Sequence, residues 1–187
     1  MNLQDDIKPG YDRVTTVLSF CSGMDKIPQE ILKNASDRGT RVHTTIDAML
    51  KGLMVFNDPD IEGYLESYRK WAKDKFLNPS PGRFYCDDDL ITGEIDSFEE
   101  QNGEVMIYDF KTSSKANPTW ALQASAYRYL AIKSGYKVSS CIMVKLDKNG
   151  KDPVIYDYGY DYRTFQDCLN VYRTFFKNKP AIEWEDI

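Results

Sequence analysis

The segment ITGEIDSFEEQNGEVMIYDFK, residues 91–111, constrains this chain more than any other. Two strand-like runs flank Asn102-Gly103, a dipeptide suited to a type I′ hairpin turn because that turn needs positive φ at both central residues. With those two as the turn, Gln101 faces Glu104, Phe98 faces Ile107, Asp96 faces Asp109 and Glu94 faces Lys111. Side chains alternate along a strand. Asp109 and Lys111 therefore share a face, and Asp96 lies across from Asp109 on it, with Cβ atoms about 4.5–5.5 Å apart. Like charges so placed destabilise a sheet, and something positive must offset them. A hard divalent cation with oxygen ligands is the economical answer. The alternative is an exposed sheet face with a surface salt bridge, and a β-bulge would shift the register. Met106, Tyr108 and Phe110, on the other face, read as core.

The rest of the chain gives the hairpin its company. Residues 1–26 read as loosely structured, with a short apolar stretch from Val14 to Phe20. Pro28 suits a first helical turn. A helical pattern then runs to about Gly52 through Ile31, Leu32, Ala35, Val42, Ile46 and Leu50, with Gly39 as its weak point. A second helix is expected over 59–76 with Asp58 as its cap, then a break at Asn78-Pro79-Ser80-Pro81-Gly82. Strands are expected at Arg83–Cys86, Leu90–Phe98 and Glu104–Lys111, a helix at Pro118–Lys133, strands at Val138–Leu146 and Val154–Tyr158, and a last helix at Asp161–Lys177. That helix carries Phe165, Leu169, Tyr172, Phe175 and Phe176 on one stripe. The order is α-α-β-β-β-α-β-β-α, an α/β protein that the 187-residue length fits as one domain.

Composition and charge narrow the class. Aromatic residues make up 13% of the chain, too many for disorder. No apolar run is long enough to span a membrane, and the polar, acidic start is no export signal. A cytoplasmic protein is the expectation. Cys21, Cys86, Cys141 and Cys168 form no CxxC pair and are read as reduced, mostly buried thiols. The net charge of −5 hides a segregation: residues 83–109 carry one positive and nine negative charges, residues 110–151 eight positive and one negative. The acidic block could hold a cation and the basic block a polyanion, or both are solvated faces.

Gln123 and Tyr127, four apart, are neighbours on an otherwise apolar helical face. A Gln there needs partners, either in a site or from backbone at the core edge. His43, the single histidine, shares a stripe with Ile46, Asp47 and Leu50, where a structural role is the ordinary one. Gly39-Thr-Arg-Val-His43, Gly93-Glu-Ile-Asp96, Asp109-Phe-Lys111-Thr112-Ser113 and Gln123-Ala-Ser-Ala-Tyr127 follow one another in order over about residues 28–146. Together they resemble the histidine, GxxD, (D/E)xK and QxxxY motifs of the RecB-like branch of the PD-(D/E)xK nuclease superfamily.

The resemblance implies a restriction-endonuclease-like core (αβββαβ), a central mixed β-sheet flanked by helices, in a single domain over 1–187 with 1–27 and 150–187 as peripheral extensions. It implies a metal-dependent deoxyribonuclease, an exonuclease of recombination, repair or phage DNA processing. Its rivals are a structure-specific or restriction-type endonuclease of the same superfamily and a non-catalytic nucleic-acid-binding module. Asp96, Asp109 and the backbone carbonyl of Phe110 would bind Mg2+ or Mn2+, with His43 as a further ligand. Lys111 would orient or activate the attacking water. Gln123, Tyr127, Thr112 and Ser113 would brace the site and touch the substrate. The clustered cysteines of iron–sulfur relatives are lacking, so no such cluster is expected, and there is no GxxxxGK nucleotide motif. The implied partner is single- or double-stranded DNA, with a recombination or replication protein beside it, in the cytoplasm of a bacterium or phage-infected host. The basic 110–151 segment would track the DNA backbone. Trp120, Tyr127 and Tyr129 are either base-stacking platforms or core.

Overall fold

A computed structural model describes residues 7–177; the outer parts of the two terminal extensions, 1–6 and 178–187, lie outside the described residues. In chain order the elements are β1 (Asp12–Arg13), α1 (Val14–Val17), α2 (Gln29–Leu50), α3 (Glu62–Ala72), β2 (Asn78–Pro79), β3 (Arg83–Cys86), β4 (Ile91–Glu94), β5 (Ser97–Gln101), β6 (Glu104–Lys111), α4 (Thr119–Lys133), β7 (Val138–Lys145), β8 (Val154–Asp157) and α5 (Tyr162–Tyr172). Short 3-10 turns, Leu18–Cys21 and Met24–Lys26, lead from α1 to α2, and a π turn, Arg173–Lys177, follows α5. The described residues thus form an α/β fold with five α-helices and two mixed sheets, of strand order β1-β4-β3 and β2-β5-β6-β7-β8.

The hairpin forms in the register that its turn dictates. Asn102 and Gly103 have φ of 55° and 75°, and Phe98 pairs with Ile107 and Gln101 with Glu104. The ladder stops at Ser97 opposite Tyr108. The one strand expected over Leu90–Phe98 is two strands in two sheets. β4 pairs antiparallel with β3 and parallel with β1, while β5 joins β6, so the chain changes sheets at Ile95-Asp96. Glu94 therefore sits opposite Arg83, with a 2.9 Å ion pair, and not opposite Lys111. The single central sheet of the sequence reading is corrected accordingly. An irregularity in register does occur, but between Val105 and Met106 in the β6–β7 ladder, where it leaves the hairpin untouched.

β6 and β7 are parallel, joined through α4, and buried on both faces, as parallel strands generally are. Val105, Ile107, Cys141 and Met143 pack with Leu130 and Ala131 of α4 and with Phe165 and Leu169 of α5. Met106, Tyr108, Phe110, Val144 and Leu146 pack with Val42 and Ile46 of α2 and with Leu65 and Tyr68 of α3. The sheet is thus the middle of three layers. The stretches before residue 28 and after 150 enter the same core through Val14, Val17, Leu18, Phe165 and Leu169.

Local expectations fail where tertiary partners intervene. α2 runs unbroken through Gly39, whose added Cβ would meet only the Thr112 hydroxyl, at 3.5 Å. Asp58 does not cap α3: its carboxylate binds Arg41 at 2.6 Å, and the helix begins at Glu62. Asp161 does cap α5, accepting from Thr164 N at 3.1 Å. α5 ends at Tyr172; beyond it Phe175 is exposed and Phe176 stacks on Phe20. Of the cysteines, Cys86 and Cys141 are buried, Cys168 is half-buried and Cys21 is exposed.

Candidate active site

The end of β6 is where α2, from one face of the sheet, and α4, from the other, come together with the chain that changes sheets. Asp109 closes the Val105-Ile107 stripe of β6 and is 4% exposed. Asp96, released from the ladder, folds its carboxylate over the strand end: its Oδ2 accepts from Phe110 N at 2.6 Å. Asp96 and Asp109 are therefore not a cross-strand pair, yet their charges do meet, because each contributes to the field at the other's neighbours. His43, in the middle of α2, places Nδ1 2.7 Å from Asp96 Oδ1.

From α4, Gln123 is 6% exposed and engages three groups at once. Its Oε1 accepts from Lys111 Nζ at 2.9 Å, and its Nε2 donates to Asp109 Oδ1 at 3.2 Å and to the Tyr127 hydroxyl at 2.9 Å. The buried amide is satisfied by the site. Lys111 Nζ lies 2.6 Å from Asp109 Oδ2 and 5.9 Å from the Trp120 ring centre. Tyr127 can approach because β4 offers a glycine: a Cβ on Gly93 would meet the Tyr127 ring at 2.7 Å. The Gly93…Asp96 and Gln123…Tyr127 patterns are thus two sides of one packing contact.

The electrostatics show a surplus of negative charge. Burial pushes the Asp109 carboxyl up, Lys111 pulls it down, Asp96 pushes it up again, and the net shift is upward. Burial lowers the His43 ring, but Asp96, by charge and hydrogen bond, and then Asp109 outweigh it and leave the ring above its ordinary value. Tyr127 is held well above the phenol range by burial and then by Asp109, so it serves as a neutral hydroxyl. Asp109 Oδ2 is buried 2.6 Å from the Lys111 ammonium, which compensates it by charge and hydrogen bond, with a smaller contribution from His43.

Two hollows meet at His43. A smaller one, about 240 Å³, is lined by His43, Asp47, Lys51, Ser80, Glu94 and Asp96. A larger groove, about 710 Å³, runs from Lys111 and Gln123 past Thr112, Ser113 and Trp120 to Arg38 and Leu18. Of the residues expected at the site, His43, Asp96, Asp109, Lys111, Gln123 and Tyr127 come together at the end of β6, Phe110 N binds Asp96, and Thr112 and Ser113 line the groove. Asp47 lies one helical turn beyond His43, and that spacing was the available signal for it. Nothing in the sequence pointed to the wall formed by Leu18, Ser19 and Ser22. Among the described residues, no group of three or more His, Cys, Asp or Glu side chains is placed to hold a metal ion; Asp96 pairs with His43 and Asp109 with Lys111.

Two lysines of the basic block are engaged by the acidic one. Lys133 pairs with Asp88 at 2.7 Å and Lys137 with Glu104 at 2.7 Å, so part of the acidic and basic blocks neutralise each other. Tyr129 stacks on Tyr162 with ring centres 3.6 Å apart, and Tyr127 is buried; of the three aromatics only Trp120 reaches the groove.

Neither a protein-family profile nor a curated protein sequence matches the chain. Solved structures do share its fold, among them the following two. The protein SSO0001 superposes with a TM-score of 0.54 at 15% identity, over 98% of this chain and 84% of that one. A provisionally assigned exonuclease from Eubacterium rectale superposes with a TM-score of 0.52 at 12% identity, over 87% of this chain and 77% of that one. The likeness is one of fold alone. Among the described residues no helix is long and apolar enough to cross a membrane.

Proposed function

We propose that the chain is a metal-dependent nuclease that hydrolyses DNA phosphodiester bonds, working as an exonuclease with Mg2+ or Mn2+. The observation that carries this reading is the convergence at the end of β6 of two hydrogen-bonded groups, Asp96 with His43 and Phe110 N, and Asp109 with Lys111 and Gln123, with His43, Lys111 and Gln123 lining the larger groove and Asp96 the smaller hollow. The fold shared with a provisionally assigned exonuclease agrees with it. The donor types suit a hard cation: two carboxylates and an imidazole, with the buried Asp109 Oδ2 beside the Lys111 ammonium at 2.6 Å. Asp96, Asp109, the carbonyl of Phe110 and His43 would hold the ion. When bound there, it supplies a more acidic water and positive charge beside the phosphate.

The chain's own residues do the rest. The Lys111 ammonium, next to Asp109, adds positive charge where the attacked phosphate gains negative charge. Gln123 fixes that ammonium and Asp109 relative to each other, and Tyr127 fixes Gln123. Thr112 and Ser113 offer hydroxyls along the groove, and Trp120 offers an apolar wall to a base.

Digestion of 5′- and 3′-labelled linear DNA, single- and double-stranded, alongside closed circles, tests this reading. Linear substrate should shorten in Mg2+ or Mn2+ and stay whole in chelator, while circles persist. Cut circles would reassign the chain as an endonuclease, and no cleavage of any substrate in either ion would leave a binding module.

A further inference from the structure

The larger groove is walled on one side by the stretch containing Leu18, Ser19, Ser22 and Met24. That wall is fastened to α5 and the turn after it at two adjacent points. Phe20 stacks on Phe176, ring centres 4.7 Å apart and planes 20° from parallel. One residue on, the turn Leu18–Cys21 packs directly on α5, where Cys21 is close enough to Cys168 to raise its pKa, and Cys21 Sγ also lies 3.3 Å from the carbonyl of Leu18. Cys21 is exposed and Cys168 half-buried, whereas Cys86 and Cys141 are buried. The fold thus brings together two cysteines far apart in sequence, at the surface, on either side of a contact between segments.

We propose that Cys21 and Cys168 are a redox-active pair that closes into a reversible disulfide under peroxide, clasping the groove wall to the last helix. The thiolate is the reacting form, and exposure directs peroxide to Cys21. Its sulfur attacks one peroxide oxygen, the O–O bond breaks, and a sulfenic acid and hydroxide result. The Cys168 thiolate then attacks the Cys21 sulfur, the S–O bond breaks, and a second hydroxide leaves. The two hydroxides take up the two thiol protons, so two thiols and one hydrogen peroxide become one disulfide and two waters. Burial first, and then the Cys21 neighbour, hold the Cys168 thiol above its ordinary range, which suits the resolving partner better than the first to react. The aromatic stack keeps the two segments together whether or not the bond is made. A bond between residues so far apart in sequence also restricts the unfolded chain.

Treatment of the reduced full-length chain with dilute hydrogen peroxide tests the proposal. Thiol titration after unfolding should find two of the four thiols lost. Mass spectrometry should show a loss of about 2 Da per chain and a cross-linked peptide joining residues 21 and 168. A dithiol reductant should restore both thiols. Oxidation should raise the melting temperature of the unmodified chain and leave that of Cys21→Ser unchanged. In Cys168→Ser, Cys21 should stop at the sulfenic acid and be trapped by dimedone. Four surviving thiols, a bridge that maps to Cys86 or Cys141, or chains linked to each other on a non-reducing gel would each overturn the proposal. None of these readouts depends on DNA cleavage.

Discussion

Asp12 and Asp109 are buried almost equally, at 5% and 4% exposure, and are compensated very differently. Asp12 binds Arg173 through one oxygen at 2.9 Å and Lys177 through the other at 2.7 Å, so one negative charge meets two positive ones. Asp109 meets one lysine and the amide of Gln123, with a second carboxylate nearby that raises its pKa. The first arrangement is complete and joins the N-terminal strand to the turn after α5. The second leaves two carboxylates, Asp96 and Asp109, to share one lysine and a titratable histidine, an arrangement that favours a further cation. Burial alone does not separate a structural carboxylate from a functional one; the balance of charge around it does.

The largest expected effect is on turnover at the unbalanced site. Asp109→Asn should reduce DNA cleavage at least about 10³-fold while shifting the melting temperature little, because the Gln123 contact can persist and the removed charge was poorly compensated. Circular dichroism with a cleavage assay would separate the two readouts. Near-normal cleavage would show that surplus charge at this position has no catalytic meaning. Next in size is Lys111→Ala, expected to slow turnover about 10²–10³-fold with metal affinity, read by isothermal titration, largely kept. Unchanged turnover in that variant would remove the lysine from the chemistry.

The balanced site should respond in the opposite sense. Asp12→Asn should cost about 1–3 kcal/mol of stability, at the lower end because Arg173 and Lys177 remain about a third exposed and are partly screened. The specific activity of the folded fraction should stay near that of the parent chain. Denaturant unfolding and cleavage on the same preparation would test both halves. A variant as stable as its parent would mean that Asp12 is less engaged than its two ion pairs suggest.

How much of this could be read in advance depends on the range of the forces involved. The hairpin and its register follow from Asn102-Gly103, because a turn needing positive φ is a local demand. Asp109 with Lys111, and Gln123 with Tyr127, follow from strand and helix periodicity, which is again local. The change of sheet at Ile95-Asp96 was not legible, since it depends on β4 pairing with β3 and β1 instead of continuing along β6. The same holds for Asp58, drawn from its capping role by Arg41, and for Tyr129, which stacks on Tyr162 from α5. The groove wall at Leu18–Ser22 carries no periodic signal; its position comes from core contacts of Val14, Val17 and Leu18. The structure brings together His43, Asp96, Asp109, Lys111, Gln123 and Tyr127, but the hydrogen bonds joining Asp96 to His43 and Phe110 depend on the break in the strand, which strand periodicity does not reveal.

The smallest effect is the one that most sharpens the contrast between the two carboxylates. With metal removed, His43 supplies positive charge to Asp96, and its pKa in the folded chain lies above the ordinary 6.5. A raised value means that the folded chain binds the proton more tightly than the unfolded chain does. The resulting stability is fully present below the unfolded value and is lost as pH rises through the folded one. His43→Gln abolishes this contribution, so the stability gap between parent and variant should be widest in mild acid and shrink toward alkaline pH. Mg2+ or Mn2+ should reverse the trend, because an ion that uses the imidazole competes with the proton and gains affinity as pH rises. The loss caused by Asp12→Asn, measured over the same range, gives the comparison at the other carboxylate. A His43→Gln gap that widened with pH, measured by denaturant unfolding in chelator, would show that the ring contributes as a neutral hydrogen-bond partner and that the site is less short of positive charge than its geometry suggests.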